Sequence, residues 1–208
     1  MIHFDQLWPK YNIHPMGVLH LGANTGQEAE VYNRHMVTNV IWVEAIPGIF
    51  EKLSEHISAY TNQTAVLACV GDEEGKEVDF KISNNEAQSS SYLELKHHKI
   101  IHPEVSYIDS FKTKMRRIDK MFHPDSFKFG SWFLNADLQG AELQAFKGMG
   151  NMISDFKWIY TEVNKQETYE GCALIDELDA YLKRFGFDRV ETGGWVGDTW
   201  TDALYVKQ

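Results

Sequence analysis

The stretch Gly17-Val18-Leu19-His20-Leu21-Gly22-Ala23-Asn24-Thr25-Gly26-Gln27-Glu28 decides the fold. It opens on a short apolar run, turns on two glycines and continues with helical spacing. A short continuous apolar run suits a strand buried on both faces. Glycines let a backbone come close to a ligand and adopt conformations barred to other residues. The helix that follows offers unpaired N–H groups at its start. In a doubly wound sheet this turn is the cofactor position. Two glycines four residues apart are a weak signature alone, and a strand-to-helix turn without a ligand reads the same way.

The same alternation runs outward from this turn. Residues 40–43 are apolar and end in Glu44, residues 64–70 form a third run, residues 132–136 end in Asp137, and residues 158–160 precede Thr161 and Glu162. Between them, 26–34, 48–58 and 141–154 have helical spacing. The clearest helix is 173–185, where Leu174, Ile175, Leu178, Leu182 and Phe185 make one apolar stripe and Gly186 supplies a stop. Strands alternating with helices predict an α/β fold, a Rossmann-like doubly wound and mostly parallel sheet. Residues 187–190 and 203–207 read as a final antiparallel hairpin, joined by a loop containing Trp195 and Trp200. Residues 1–16 read as an N-terminal helical segment, and 76–116 as an insert capping the sheet edge. The expectation is one domain over 1–208.

Composition narrows the classes. Of the 208 residues, 43% are hydrophobic and 24% charged, which is ordinary for a globular chain. The net charge of −10 makes it a poor partner for nucleic acid or an anionic membrane. The strongest basic run, Lys112, Lys114, Arg116 and Arg117, alternates like the solvated face of a strand. Two cysteines, Cys69 and Cys172, make neither a disulfide framework nor a cysteine-rich zinc site. With no apolar run long enough to span a bilayer and no signal-like start, a cytoplasmic location is expected, without membrane insertion.

Glu44 lies 22 residues after Gly22, where folds of this kind hold a ribose by its hydroxyls. NAD and S-adenosylmethionine both contain that ribose. The turn has Asn24 where a dinucleotide site has its middle glycine, which disfavours a pyrophosphate and an NAD-dependent oxidoreductase.

A third motif is Asn135-Ala136-Asp137-Leu138-Gln139-Gly140-Ala141-Glu142-Leu143, followed by Phe146-Lys147-Gly148-Met149. Taken with the Gly22–Gly26 turn, Glu44-Ala45-Ile46-Pro47, Val70-Gly71-Asp72, the serines 89–91 and Tyr160-Thr161-Glu162-Val163-Asn164, it resembles the FkbM family of S-adenosylmethionine-dependent methyltransferases. The resemblance runs from about residue 17 to the C-terminus. It departs at Ala45-Ile46, where many members have proline directly after the glutamate, and in a short middle region.

The resemblance implies a class I methyltransferase fold, a seven-stranded sheet with one antiparallel strand. It implies methyl transfer, most often to a hydroxyl of a sugar, glycan or small molecule. By position, Gly22, Ala23, Asn24 and Gly26 line the methionine end of the cofactor and Glu44, with Ala45, holds the ribose. Residues from Cys69 to Asp72, with Val70, lie by the adenine, and Asp137 and Leu138 sit at the sulfonium. An alcohol needs help to lose its proton, so Asp137, Glu162 and Glu142 are the candidate catalytic acids. Each has a plainer role open: an N-cap for Asp137, helix N-terminal charge for Glu142. Asp137, Glu162 and Asn164 together also offer oxygen ligands for Mg2+, or simply hydrogen-bond to loops. His97, His98 and His102 read as surface or satisfied loop histidines. Trp195 and Trp200 can stack on a sugar or pack the hairpin. A catalytically inactive S-adenosylmethionine-binding module of the same fold is the alternative from another class.

Overall fold

A computed structural model describes residues 2–37, 39–128 and 130–208. The chain runs α1 (Phe4–Lys10), β1 (Gly17–Leu21), α2 (Ala29–Arg34), β2 (Val40–Glu44), α3 (Pro47–Ile57), β3 (Gln63–Leu67), β4 (Cys69–Val70) and β5 (Glu77–Ser83). It continues with α4 (His98–Ile101), β6 (Tyr107–Arg116), α5 (Ile118–Met121), β7 (Trp132–Ala136), α6 (Glu142–Met149), β8 (Phe156–Asn164), α7 (Ile175–Lys183), β9 (Phe187–Thr192) and β10 (Trp200–Lys207).

Seven strands form one sheet in the order β3-β2-β1-β7-β8-β10-β9. β10 runs antiparallel to both β8 and β9, and the other pairings are parallel. This is the expected doubly wound fold with an antiparallel strand near its C-terminal edge. The connections reverse direction between β1 and β7, which opens a crevice beyond their C-terminal ends.

Both faces of the sheet are covered, because successive side chains of a strand point to opposite sides. Leu19, Leu21, Leu134 and Ala136 pack with Ala145, Phe146 and Met149 of α6 and Leu178 and Leu182 of α7. Val18, Phe133 and Trp158 face the other way, onto Leu7 and Trp8 of α1, Tyr32 of α2 and Leu53 of α3.

Several boundaries differ from expectation. The run 64–70 divides into β3 and β4, and β4 leaves the main sheet to pair with β6. Residues 141–154 do not form one helix: α6 stops at Met149 because Gly150 takes a φ of +55°, and a 3-10 turn follows over 150–155. Residues 26–28 form a turn, so α2 starts at Ala29. β5 and β6 pair antiparallel and, with β4, make a separate three-stranded sheet. Lys112, Lys114 and Arg116 do lie exposed on β6, but Lys112 pairs with Glu77 and Arg116 with Glu74.

The glycine of the Lys147-Gly148 motif is required by a close contact between elements. A Cβ built on Gly148 of α6 would stand 2.0 Å from the carbonyl oxygen of Gly71, just past β4. The helix therefore touches the β4 end backbone to backbone. Gly148→Ala is expected to cost about 1–3 kcal/mol by overpacking, read as a lower urea midpoint with an unchanged slope. An unchanged midpoint would show that α6 can lift away from Gly71 freely.

Candidate active site

The turn after β1 is held by the chain itself. Gly22 and Ala23 donate their N–H groups to the Val43 carbonyl, each at 3.0 Å, and Gly26 donates to the Ala23 carbonyl at 2.9 Å. Asn24 donates its N–H to Glu44 Oε2 at 2.9 Å, and Thr25 donates its own to Asn24 Oδ1 at 2.7 Å. All five N–H groups from Gly22 to Gly26 therefore have partners within the protein. Gly22 has a φ of +78°, and a Cβ there would fall 1.7 Å from the Asp137 carbonyl oxygen. The close approach that requires glycine is thus to the end of β7, while Asp137 returns its N–H to the Leu21 carbonyl at 3.0 Å. Gly26 faces Leu53 of α3 and does not line the cavity beyond the turn; its part is helix packing.

Glu44, at the end of β2, is buried. Its Oε1 accepts the N–H groups of Ala45 and Ile46 at 2.9 and 2.8 Å, and Oε2 accepts that of Asn24. A carboxylate has about four acceptor positions, so roughly one remains. Burial pushes its pKa up, against the three N–H bonds.

These residues border a cavity of about 930 Å³ over the C-terminal strand ends, within the range of small-molecule sites. Gly22, Ala23, Asn24, Glu44, Ala45, Val70, Asp137, Leu138 and Glu162 all line it. Asp72 does not: its carbonyl turns to Arg117, whose Nη1 donates to it at 2.8 Å. Glu142 is also outside the lining. It accepts the N–H groups of Leu138 and Gly140 at 2.8 and 3.2 Å and so ties down the loop ahead of α6.

The lining acids are not ordinary surface carboxyls. Desolvation raises Asp137 to about 6 although its side chain opens into the cavity, and raises Glu28 to about 7. Glu162 is buried, and burial followed by the charges of Glu142 and Asp137 raises it well above the usual carboxyl range. Of the two readings for Asp137, Glu162 and Asn164, ligands for Mg2+ or hydrogen bonds to loops, the side chains of Glu162 and Asn164 follow the second. Asn164 Nδ2 points to Glu162 Oε1 at 3.3 Å, and Asn164 Oδ1 accepts the Thr168 hydroxyl. Among the described residues no group of three or more His, Cys, Asp or Glu side chains is placed to hold a metal ion.

Other lining residues escaped the sequence reading. The loop between β5 and β6 reaches the β1 turn, where Asn24 Nδ2 donates to the Glu86 carbonyl at 3.2 Å. His98, read as a surface or a satisfied loop histidine, is buried, with Nε2 3.1 Å from Ser89 Oγ and its ring 5.5 Å from that of Tyr169. Tyr169 donates its hydroxyl to Gln139 Oε1, and Gln139 Nε2 donates to Asp137 Oδ1. The insert is thereby linked to the β7 motif. On the opposite wall, His20 is 3.2 Å from the Tyr32 hydroxyl, and burial lowers it to about 3. Of the two tryptophans, Trp200 lines the cavity; Trp195 lies under the Lys165 ammonium, 4.2 Å from its ring centre.

Gly22→Ala and Gly75→Ala separate strain from collision. Both glycines have φ near +80°, but a Cβ on Gly75 meets nothing within 4 Å. Gly75→Ala should cost about 1–2 kcal/mol for its left-handed backbone, and Gly22→Ala about 3 kcal/mol or more. Equal losses in urea denaturation would mean that the β1 and β7 ends can part.

Comparison with known proteins agrees with this geometry. No curated protein matches the chain in sequence. It shares its fold with the N-terminal domain of EvdMO1, solved with SAH bound, at a TM-score of 0.54 and 9% identity over 98% of this chain and 79% of that one. The magnesium protoporphyrin IX methyltransferase from Synechocystis PCC 6803, solved with bound SAM, gives a TM-score of 0.52 and 10% identity over 98% and 76%. An uncharacterized protein from Listeria monocytogenes serotype 4b gives 0.53 and 4% over 100% and 69%. At such identities the likeness is one of fold. The family assignment comes from the sequence: the methyltransferase FkbM domain matches residues 20–189, from the end of β1 into β9, and the chain belongs to that family.

Proposed function

We propose that the chain transfers a methyl group from S-adenosylmethionine to a hydroxyl of a sugar, glycan or other small molecule. The observation that carries the cofactor reading is the closed turn. A pyrophosphate at a glycine turn needs unpaired backbone N–H groups, and all five between Gly22 and Gly26 are engaged internally. A nucleoside without phosphate needs none of them, only an acceptor for its ribose. Glu44 keeps about one free acceptor position, so it holds a single hydroxyl where the spacing suggested two. Ala23, Asn24, Ala45, Cys69, Val70 and Leu138 all line the same cavity; on this reading Cys69 and Val70 meet the adenine and Leu138, beside Asp137, the sulfonium end. The cofactor-bound fold relatives and the family membership point the same way.

S-adenosylmethionine supplies a methyl already activated on a sulfonium. The protein must align the acceptor and take its proton. With the cofactor bound, the sulfonium would supply the methyl group and leave as the neutral thioether, and Asp137 would take the proton that the acceptor hydroxyl loses. Asp137 suits this role: it lines the cavity, opens into it and is held near 6, so it is a carboxylate at neutral pH. Glu162 is buried, and burial and the neighbouring acids raise it well above the usual carboxyl range, which favours a hydrogen bond donated to the acceptor. Glu142 is occupied by the loop and takes no part in the transfer.

Two measurements test this reading. S-adenosylhomocysteine should raise the thermal midpoint of the chain and NAD should not, since a ligand specific to the folded state stabilises it. Glu44→Gln should weaken S-adenosylhomocysteine binding about 10-fold or more in calorimetry; stabilisation by NAD alone would refute the assignment. Methyl transfer should rise with pH through about 6 as Asp137 loses its proton. Asp137→Asn should remove that rise and lower turnover while leaving cofactor affinity within a few-fold. Full turnover with an unchanged profile would take Asp137 out of the chemistry.

A further inference from the structure

The closed turn offers no donor to the far end of the cofactor. S-adenosylmethionine ends in an amino-acid group, an ammonium and a carboxylate, and the N–H groups from Gly22 to Gly26 are engaged within the protein. Among the described lining residues of the cavity there is no lysine or arginine. A carboxylate taken out of water needs a donor all the same. Of the lining imidazoles, His98 is tied to Ser89, His102 stands beside Glu104 and His3 is exposed. The fourth, His20, is set up differently.

His20 of β1 and Asn135 of β7 are cross-strand neighbours, only 3% and 4% exposed, and both line the cavity. One phenol orients both. Asn135 Nδ2 donates to the Tyr32 hydroxyl oxygen at 2.8 Å, and the Tyr32 hydroxyl donates in turn to His20 Nδ1 at 3.2 Å. With Nδ1 accepting, the proton of the neutral imidazole sits on Nε2. The Trp42 ring stacks on the imidazole at 4.9 Å and fixes its plane. His20 Nε2 and Asn135 Oδ1 have no partner among the described residues, and neither atom is enclosed, so both open into the cavity. Buried polar groups are hydrogen-bonded as a rule, and these two present one donor and one acceptor in fixed directions. Glu28 adds a carboxyl whose Oε2 lies 3.9 Å from the same ring.

We propose that His20 and Asn135 hold the amino-acid end of the cofactor: His20 Nε2–H donates to its carboxylate, and Asn135 Oδ1, with Glu28, accepts from its ammonium. The proposal rests on the cofactor reading and deepens it by naming the side chains that meet the charged end. The spacing agrees. His20 and Asn135 stand two residues before Gly22 and Asp137, one pleat or roughly 7 Å behind the strand ends. In the cofactor the carboxyl carbon is about four bonds from the sulfur, roughly 5 Å. A sulfur beside Asp137 therefore leaves its amino-acid group within reach of the pair. The glycine turn borders this end without donating to it.

Methylthioadenosine keeps the adenosine and thioether of S-adenosylhomocysteine and lacks the amino-acid group, so the two ligands isolate that group. Both are titrated by calorimetry into the full chain and into His20→Phe, which keeps a ring on Trp42 and loses the N–H. Affinity for S-adenosylhomocysteine is expected to fall about 10-fold or more, as for a lost hydrogen bond to a charged group, while that for methylthioadenosine stays within about twofold. Equal losses for both ligands would make His20 a structural residue and overturn the proposal, and so would unchanged affinity for both. Failure of the unaltered chain to bind either ligand overturns the cofactor reading itself, and the proposal with it. Should His20→Phe not fold, the unaltered chain decides by NMR. S-adenosylhomocysteine should move the imidazole nitrogen resonances of His20 and methylthioadenosine should leave them in place; equal displacement by both, or by neither, refutes the contact.

Discussion

The contact between Gly22 and the Asp137 carbonyl is the constraint on which the site depends. β1 and β7 are neighbours in the sheet but lie more than a hundred residues apart in sequence, and the crevice exists because the connections reverse between them. Their ends close through the Asp137 N–H on the Leu21 carbonyl and through a backbone approach that leaves no room for a side chain at Gly22. That approach sets Asp137 beside the β1 turn, at the floor of the cavity. The Gly71–Gly148 contact does the same for the other end of the cavity, drawing α6 against the exit of β4. Both contacts are backbone to backbone, so neither can yield by a change of rotamer.

A buried carboxyl without a cation is costly unless it is hydrogen-bonded or neutral, and this site uses both remedies. Glu44 and Glu142 are stabilised by N–H groups, and in exchange they organise the loops that carry them. Glu44, Glu162, Glu142, Glu28 and Asp137 are all also shifted towards neutrality by burial, Glu142 and Glu28 to about 7 and Asp137 to about 6, with the Gln139 hydrogen bond opposing the shift at Asp137. Acids that look alike in sequence differ in what they hold: Glu44 and Glu142 bind several backbone N–H groups, while Asp137 accepts from the Gln139 side chain and Glu162 from that of Asn164. The difference follows from which N–H groups lie within reach.

This explains what could and could not be read beforehand. The sheet was legible because its strands are short, apolar and followed by helical spacing or turn residues; β1 and β7 are buried throughout, as their unbroken apolar runs suggest. Glu44 and Asp137 were legible because each directly follows such a run. Glu142 misled, since a carboxylate at the start of a helix looks the same whether it faces a ligand or its own loop. Asp72 misled because the turn at Gly71 sends the chain towards Arg117, a contact 45 residues away that no local pattern displays. Gly26 was recognised as a turn glycine, but its neighbour is Leu53 of α3 and not a ligand.

His98 shows the limit most clearly. It lies on a four-residue helix in a stretch without periodicity, and nothing in its neighbourhood distinguishes it from His97 and His102. Its place at the cavity depends on three distant partners: Ser89 in the preceding loop, Tyr169 after β8, and through Tyr169 the Gln139–Asp137 pair. One wall of the cavity is therefore assembled from an insert whose local sequence is silent about its position. The other is assembled from strand ends whose pattern is explicit. The geometry of the strand ends is fixed by the sheet, whereas the insert is tied to that sheet by a few hydrogen bonds from side chains. A different acceptor can then be accommodated by changing the insert without disturbing the Gly22–Asp137 contact, and the two halves of the site answer to separate constraints.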